Sequence, residues 1–283
     1  MLNRLKDILA GHSRAPDPSE RPATGSEPDS GQLDPFEVGL WDDMSSGWYR
    51  NEQDEIFKGF PVAPKDVVLD VGCGDGGRSL FCATRGCHVI YSDIDPEKVV
   101  LTAERLRGSA AREQQGIVSD TDPLPLEPET VSRVIATEII EHVEDPGRFL
   151  GELVRVGKPG ALYLLTVPGD LGEKAQVGLA APQYFQKPNH IQVISRPEFE
   201  ALIGDAGLEV VSYSEHGFFW TLWWMFFWSS AQPQVGPPWT DLLDSWARTW
   251  VALRETPQGP MVKDALDAIL PKFQVVVARK PDI

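Results

Sequence analysis

Short apolar runs alternate with amphipathic stretches from position 67 onward, a pattern typical of strands separated by helices. The first run, Val67–Val71, ends in glycines, and residues 76–85 continue it as a predicted helix. Further strands are predicted at residues 88–92, 116–119, 133–137, 161–167, 208–213 and 273–279, and further helices at 97–106, 146–156 and 196–207. Because strands alternate with helices, we predict an α/β protein whose mostly parallel sheet is covered on both faces.

Charge and composition exclude several classes of protein. The 26 Lys and Arg residues stand against 42 Asp and Glu residues, a formal net charge of −16. Binding to nucleic acid relies on clustered basic residues, so no nucleic-acid partner is expected. The three cysteines have no zinc-binding spacing and are too few for a disulfide framework, which favours a cytoplasmic location. The longest apolar stretch, residues 218–228, is shorter than the roughly 20 residues that span a bilayer, and no secretory signal is expected.

Residues 1–35 differ from the rest of the chain in composition. They are rich in proline, glycine, serine and acidic residues and contain few residues to bury. Such a segment cannot offset the entropy lost on folding, so we predict a disordered leader that ends at residue 35.

The turn after the first strand carries candidate ligand-binding residues. Gly72, Gly74 and Gly77 satisfy the pattern G-x-G-x-x-G where a strand passes into a helix. Asp93 follows about twenty residues later, at the end of the second strand. Glycines let the backbone approach a ligand, and the aspartate can accept hydrogen bonds from ribose hydroxyls. The ligand is therefore predicted to contain adenosine.

Asp70 indicates which adenosine ligand this turn binds. Its carboxylate stands two residues before the first glycine, where it would repel a pyrophosphate and attract an ammonium group. S-adenosylmethionine has a sulfonium, an amino-acid tail and no phosphate, so it fits better than a dinucleotide. The alternative is that Asp70 ends the strand and bonds to its own loop.

Four stretches of the chain resemble, in order and spacing, the motifs of class I S-adenosylmethionine-dependent methyltransferases. They are residues 70–77 (DVGCGDGG), 91–96 (YSDIDP), 138–143 (EIIEHV) and 153–160 (LVRVGKPG). The resemblance to this family covers residues 35–213, and within the family the chain resembles the branch that contains the ubiquinone-biosynthesis O-methyltransferases. The resemblance implies a Rossmann-like sheet of seven strands with the last one reversed, and a cofactor across the carboxyl ends of the first, second and fourth strands.

The same resemblance implies roles for individual residues. Asp93 would bind the ribose and Ile94 would pack on the adenine, while Tyr49 and Arg50 would belong to a helix that caps the cofactor. The residues implied to bind S-adenosylmethionine are Asp70, Gly72, Gly74, Asp93, Ile94, Asp120, Thr121 and Thr137.

A polar cluster follows the fourth strand. Glu138, Glu141 and His142 have the spacing i, i+3, i+4, so on a helix they would share one face over the methyl donor. His190 is expected to join them. Two glutamates and two histidines can bind a divalent ion such as Mg²⁺, as in metal-assisted relatives. Two other interpretations stay open: His142 or His190 acts as a general base, or the cluster is structural.

Residues 217–270 interrupt the alternation of strands and helices. Seven of the nine tryptophans lie between Trp220 and Trp250, and residues 218–228 are apolar on every side of a helix. This predicted helical insertion has three open interpretations: a packed cap over the methyl acceptor, a homodimer interface, or a peripheral membrane contact. A cap of this composition would imply a large hydrophobic or aromatic acceptor.

The sequence therefore predicts a methyltransferase domain at residues 36–216 and 271–283, with the insertion at 217–270. The predicted activity is O-methylation of a hydrophobic or aromatic small molecule by S-adenosylmethionine. One alternative is methylation of a saccharide or lipid-linked glycan hydroxyl. The other is a non-catalytic S-adenosylmethionine-binding protein with a regulatory or scaffolding role.

Overall fold

The computed structural model describes residues 33–282. The predicted leader at residues 1–35 lies almost entirely outside these described residues. Within them, a seven-stranded sheet is buried between two apolar layers, and neighbouring strand residues such as Val68 and Leu69 belong to opposite layers. This arrangement confirms the predicted α/β fold.

The described chain begins with helix α1 (Pro35–Ser46) and a small antiparallel sheet. Asp34 caps α1, because its side chain accepts a hydrogen bond from the backbone N–H of Phe36. The expectation that Tyr49 and Arg50 lie on a helix is wrong, since both are on a strand. Strands this short carry too few residues for a period-two pattern, so the sequence did not indicate them. They are β1 (Trp48–Arg50), β2 (Glu55–Phe57) and β3 (Phe60–Pro61).

The large sheet has the order β6-β5-β4-β7-β8-β10-β9. Its strands are β4 (Val67–Val71), β5 (His88–Asp93), β6 (Glu113–Val118), β7 (Val131–Thr137), β8 (Gly157–Pro168), β9 (Glu209–His216) and β10 (Phe273–Arg279). Neighbouring strands from β6 to β8 are parallel, whereas β10 is antiparallel to both β8 and β9. The predicted reversed last strand is therefore confirmed.

Five helices of the described chain connect these strands. They are α2 (Gly77–Ala83), α3 (Pro96–Arg105), α4 (Pro146–Val156), α5 (Asp170–Gln176) and α6 (Arg196–Asp205). Helices α3 and α4 begin where predicted, because in each a proline follows a capping aspartate: Asp95 accepts from the N–H of Glu97, and Asp145 from that of Arg148. Helix α5 was not predicted.

The insertion is helical, as predicted, and consists of α7 (Phe218–Ser229), α8 (Asp241–Arg254) and α9 (Gly259–Ile269). Trp223 on α7 and Trp250 on α8 are 0% exposed and belong to one aromatic core. The indole N–H of Trp250 donates to Oδ1 of Asp42 over 2.9 Å, which attaches the insertion to α1. In the described part of the chain, we find no helix with the length and apolar character needed to cross a bilayer.

Candidate active site

A cavity of about 880 Å³ lies at the carboxyl ends of β4, β5 and β7. The strand order reverses at β4, since β5 and β6 lie on one side of it and β7 and β8 on the other. Ligands of open α/β sheets bind at such a switch point. The cavity is therefore where the sequence places the cofactor.

The glycine turn after β4 borders this cavity. Gly72 and Gly74 have φ angles of 66° and 55°, in the left-handed region that favours glycine. A Cβ atom on Gly72 would lie 2.1 Å from Cδ1 of Ile139, so no side chain fits there without a shift. The turn thus leaves its backbone accessible to a ligand.

Asp93 ends β5 and fixes the glycine turn. Its Oδ2 accepts a hydrogen bond from the backbone N–H of Gly74 over 3.0 Å. Each carboxylate oxygen has further lone-pair capacity, so ribose hydroxyls can also be bound. Ile94 is 73% exposed beside it, as an apolar surface for a purine would be. The other residues predicted at the adenine, Asp120 and Thr121, line the same cavity.

Asp70 is placed differently from the neighbouring glycines. It is 2% exposed, and its Oδ2 accepts a hydrogen bond from the hydroxyl of Ser79 over 2.6 Å. Burial raises the pKa of Asp70 to about 6. Asp70 is not among the described residues that line the cavity. Its side chain thus bonds to helix α2 and not to the glycine loop, and its predicted role toward the cofactor stays a prediction.

Two buried polar atoms on the cavity wall have no hydrogen-bond partner among residues 33–282, and sequence reasoning missed both. They are Nε of Arg78 and Oδ1 of Asp43. The guanidinium of Arg78 lies 5.2 Å from the ring centroid of Trp48, and Trp220 donates its indole N–H to the other oxygen of Asp43 over 2.9 Å. An amino-acid tail offers a carboxylate to Arg78 and an ammonium to Asp43. The unpaired atoms therefore fit the methionine end of S-adenosylmethionine.

Glu138 follows Thr137 at the end of β7, with a φ of 56° that is uncommon outside glycine. The hydroxyl of Thr166 donates to its Oε1 over 2.9 Å and accepts from its backbone N–H over 3.0 Å. The next residues, Ile140–His142, form a single 3₁₀ turn. The expectation that both glutamates and His142 share one α-helical face is therefore wrong, because the left-handed residue breaks the helical path.

The structure nevertheless brings Glu141, His142 and His190 together. One potential ligand atom from each lies within 4.8 Å of the other two, and Glu138 lies outside this group. Both carboxylate oxygens of Glu141 are buried without a partner among the described residues. Burial, and next the charge of Glu138, raise the pKa of Glu141 well above its usual value. A cation would satisfy these oxygens, so the donor set fits a metal ion.

His142 is a neutral imidazole at pH 7. Its Nδ1 lies 3.0 Å from the carbonyl oxygen of Pro188, so this nitrogen carries the hydrogen and donates it. Burial, together with the neighbouring His190, lowers the pKa of His142 to about 4. Its Nε2 lies 3.7 Å from Oε1 of Glu141.

His190 is bonded to Glu173 on α5, a residue that sequence reasoning missed. Nδ1 of His190 lies 2.7 Å from Oε2 of Glu173, whose Oε1 accepts from the hydroxyl of Tyr184 and the ammonium of Lys272. Burial would raise the pKa of Glu173, but Lys272 and His190 outweigh it and bring the pKa to about 2. Glu173 is therefore ionised beside the cavity.

The remaining wall of the cavity is largely aromatic. The rings come from α1, β1, α7 and the start of β10: Phe36, Trp48, Tyr49, Trp220, Trp224 and Phe273. The rings of Phe36 and Trp220 meet edge to face with centroids 5.2 Å apart. Because α7 packs on its own chain and lines the cavity, its contacts are those of a packed cap. The homodimer and the membrane contact stay predictions.

Residues 69–165, from β4 into β8, match a family model described as a methyltransferase domain. This stretch contains the glycine turn, Asp93 and the pair Glu141 and His142. Residues 69–165 therefore match a methyltransferase domain, and they lie in a seven-stranded sheet with the reversed strand that the resemblance to class I S-adenosylmethionine-dependent methyltransferases implied.

Individual relatives share parts of the chain. The ubiquinone biosynthesis O-methyltransferase of Hahella chejuensis is 30% identical over 154 residues, which cover 48% of this chain and 62% of that protein. The norajmaline N-methyltransferase of Rauvolfia serpentina is 34% identical over 100 residues, which cover 35% and 34%. The chain thus spans less than two thirds of these curated relatives. A solved geranyl diphosphate methyltransferase in complex with S-adenosylmethionine shares the fold, with a TM-score of 0.51, 18% identity and coverage of 79% of this chain and 80% of that one.

Proposed function

We propose that this protein transfers the methyl group of S-adenosylmethionine to an oxygen atom of a hydrophobic or aromatic small molecule. One observation carries the proposal: a single cavity joins the glycine turn, the polar cluster and the aromatic wall. Ligand sites with mostly apolar walls and a few convergent polar groups are typical of small-molecule enzymes. The cavity has room for a nucleoside cofactor beside an apolar acceptor.

Three charged residues that line this cavity would hold the cofactor. Arg78 would bind the carboxylate of the methionine tail, Asp43 its ammonium group and Asp93 the ribose. When bound, S-adenosylmethionine supplies a methyl group attached to a sulfonium sulfur. The neutral thioether that remains after transfer is a good leaving group. The protein then has to position the acceptor and take its proton.

His190 is the proposed proton acceptor. Its Nδ1 is bonded to Glu173, whose charge stabilises the imidazolium that forms when Nε2 takes the hydroxyl proton. The acceptor's O–H bond breaks, and the electron pair left on oxygen forms the new bond to the methyl carbon. The bond between that carbon and the sulfonium sulfur breaks at the same time, and its electron pair stays on sulfur, which leaves as a neutral thioether. His142 has a pKa of about 4, which makes it a weak base at neutral pH. We therefore give His142 the role of orienting the acceptor.

A divalent metal ion bound by Glu141, His142 and His190 is the second candidate for this step. It is supported by the close ligand atoms and by the two unpaired oxygens of Glu141. Imidazole nitrogens suit Zn²⁺ or Fe²⁺, whereas Mg²⁺ takes oxygen ligands. The proposed ion is therefore a transition metal, and the Mg²⁺ expected from the sequence has no support here. Such an ion would lower the pKa of the acceptor hydroxyl.

The aromatic wall favours an apolar acceptor over a saccharide or lipid-linked glycan, whose many hydroxyls would need polar partners. The histidines beside the glycine turn favour an enzyme over a non-catalytic binding protein. A cytoplasmic location stays a prediction.

The proposal can be tested by following a radioactive methyl group. Protein and methyl-labelled S-adenosylmethionine are added to an extract of a deletion strain, which is then separated into organic, aqueous and acid-precipitated fractions. We expect label in the organic fraction with the wild type and much less of it with Asp93→Ala at the same limiting cofactor concentration. Label in the aqueous fraction would support the saccharide alternative. Cofactor binding without any transfer would support the non-catalytic one.

A further inference from the structure

The carboxylate of Glu173 has different partners on its two oxygens. Oε1 accepts from the hydroxyl of Tyr184 over 3.0 Å, from Nζ of Lys272 over 3.2 Å and from Nε2 of Gln176 over 3.5 Å, while Oε2 faces Nδ1 of His190 over 2.7 Å. All five side chains are buried. An ionised carboxylate can only accept hydrogen bonds, so Nδ1 of His190 carries a hydrogen.

A neutral histidine with its hydrogen on Nδ1 has its lone pair on Nε2. Because the ring of His190 lines the cavity and Glu173 occupies Nδ1, Nε2 is the nitrogen left for the cavity. We propose that Glu173, paired with Lys272, is the positioning residue that fixes His190 in this tautomer and presents the Nε2 lone pair to the methyl acceptor. What the lone pair does rests on the proposed function: a proton acceptor needs it to take the hydroxyl proton, and a metal ligand needs it to bind the ion.

The same network connects His190 to the region of the insertion. Lys272 lies in the link between α9 and β10. Trp228, near the end of α7, donates its indole N–H to Oε1 of Gln176 on α5 over 3.1 Å. The ring of Tyr184 packs on that of His190, with centroids 4.3 Å apart. Packing of the aromatic insertion therefore fixes α5, and α5 carries the carboxylate that orients the histidine.

The variant Glu173→Gln tests the proposal because an amide has one oxygen and one NH₂ group, and its orientation decides which of the two faces His190. The donors of Tyr184 and Lys272 hold the amide oxygen on their side, so the amide NH₂ faces Nδ1 of His190. Nδ1 must then accept, and the hydrogen moves to Nε2. The tautomer is read by ¹H–¹⁵N correlation NMR on full-length protein with ¹⁵N-labelled histidine, and His190→Gln assigns the signal.

We expect the Nδ1–H tautomer of His190 in the wild type and the Nε2–H tautomer in Glu173→Gln. Diethyl pyrocarbonate, which attacks an imidazole lone pair, should modify His190 at least about tenfold more slowly in the variant. If removal of the charge prevents folding beside Lys272, the double variant Glu173→Gln, Lys272→Met keeps the Tyr184 hydroxyl as a donor and should give the same tautomer.

Asp170→Asn is the matched control, since it makes the same change from carboxylate to amide on α5, at a residue that bonds to Lys174 and not to Glu173 or His190. We expect it to leave the tautomer unchanged. A wild-type His190 with its hydrogen on Nε2, or one whose tautomer survives Glu173→Gln, would overturn the proposal. Calorimetry with S-adenosylhomocysteine tests the proposed function separately: absence of binding would refute that function, and the tautomer would still decide the role of Glu173.

Discussion

The backbone N–H of Gly74 donates to Oδ2 of Asp93 over 3.0 Å, so the proposed ribose-binding carboxylate also holds the turn that meets the methionine tail. The replacement Asp93→Ala removes both functions. We expect it to weaken the binding of S-adenosylhomocysteine by about 1–3 kcal/mol, measured by isothermal titration calorimetry.

Asp95→Ala is the control for this measurement. It removes the side chain that caps α3 and should lower the free energy of unfolding by about 1 kcal/mol. Asp95 does not line the cavity in the described structure, so affinity should stay unchanged. An Asp93→Ala protein that binds as tightly as the wild type would refute the ribose role.

The two glycines of the turn differ in what an added methyl group would meet. In Gly72→Ala the Cβ would lie 2.1 Å from Cδ1 of Ile139, whereas in Gly74→Ala the nearest atom is 4.0 Å away. Both variants carry the strain of a left-handed alanine, about 1–2 kcal/mol. We therefore expect Gly72→Ala to lower the free energy of unfolding more than Gly74→Ala, in parallel urea titrations. Equal losses would show that Ile139 does not restrict the turn.

The sequence predicts those residues of the site that lie next to a strand with a clear apolar pattern. The glycine turn follows β4 and Asp93 ends β5, and the apolar runs of both strands are clear, so these positions could be predicted. The positive φ angle of Glu138 could not be predicted, because no residue type around it marks a left-handed conformation. The helix expected from its spacing with His142 is absent for the same reason.

The missed residues share a different cause. Glu173 stands on the seven-residue helix α5, which is too short for a clear amphipathic period, and its partner Lys272 lies 99 positions further along the chain. Asp43 and Arg78 meet the same cavity from α1 and α2. Such pairs depend on how helices pack around the sheet, which local patterns do not specify.

Neighbouring tryptophans on α7 should have separable effects. Trp224 lines the cavity and is half-buried, so Trp224→Ala should weaken the binding of an apolar probe such as 4-octylphenol with little change in Tm. Trp223 is 0% exposed and does not border the cavity in the described structure, so Trp223→Ala should lower the free energy of unfolding by about 3–5 kcal/mol. Unchanged probe binding in Trp224→Ala would argue against the aromatic wall as the acceptor site.

The proposed metal site predicts selective loss of an ion. Protein dialysed against Zn²⁺ should retain it when Glu138 is changed to Gln, since Glu138 lies outside the group of close ligand atoms. Glu141→Gln keeps the shape of the side chain and removes its charge, so it should lose the ion. Metal content is measured by mass spectrometry after desalting. Equal zinc in wild type and Glu141→Gln, or none in either, would remove the metal and leave His190 as the proton acceptor.

His216 should make the stability of the protein depend on pH. Its Nε2 accepts a hydrogen bond from the indole N–H of Trp48 over 3.0 Å, and burial lowers its pKa to about 3. An unfolded chain binds the proton near pH 6.5, so it holds more protons than the folded chain at any pH between these two values. The contribution of His216 is therefore intact above pH 6.5 and is lost as the pH falls towards 3.

The magnitude follows from the same linkage. Below pH 6 the contribution of His216 should decline by about 1.4 kcal/mol per pH unit. His216→Gln retains an acceptor for Trp48 and cannot titrate, so the difference in unfolding free energy between the wild type and this variant isolates the histidine from the carboxylates that titrate in the same range. Urea denaturation at pH 7, 6, 5 and 4.5 measures that difference. Parallel curves for the two proteins would mean that His216 can bind a proton in the folded chain, for which its contact with Trp48 would have to open.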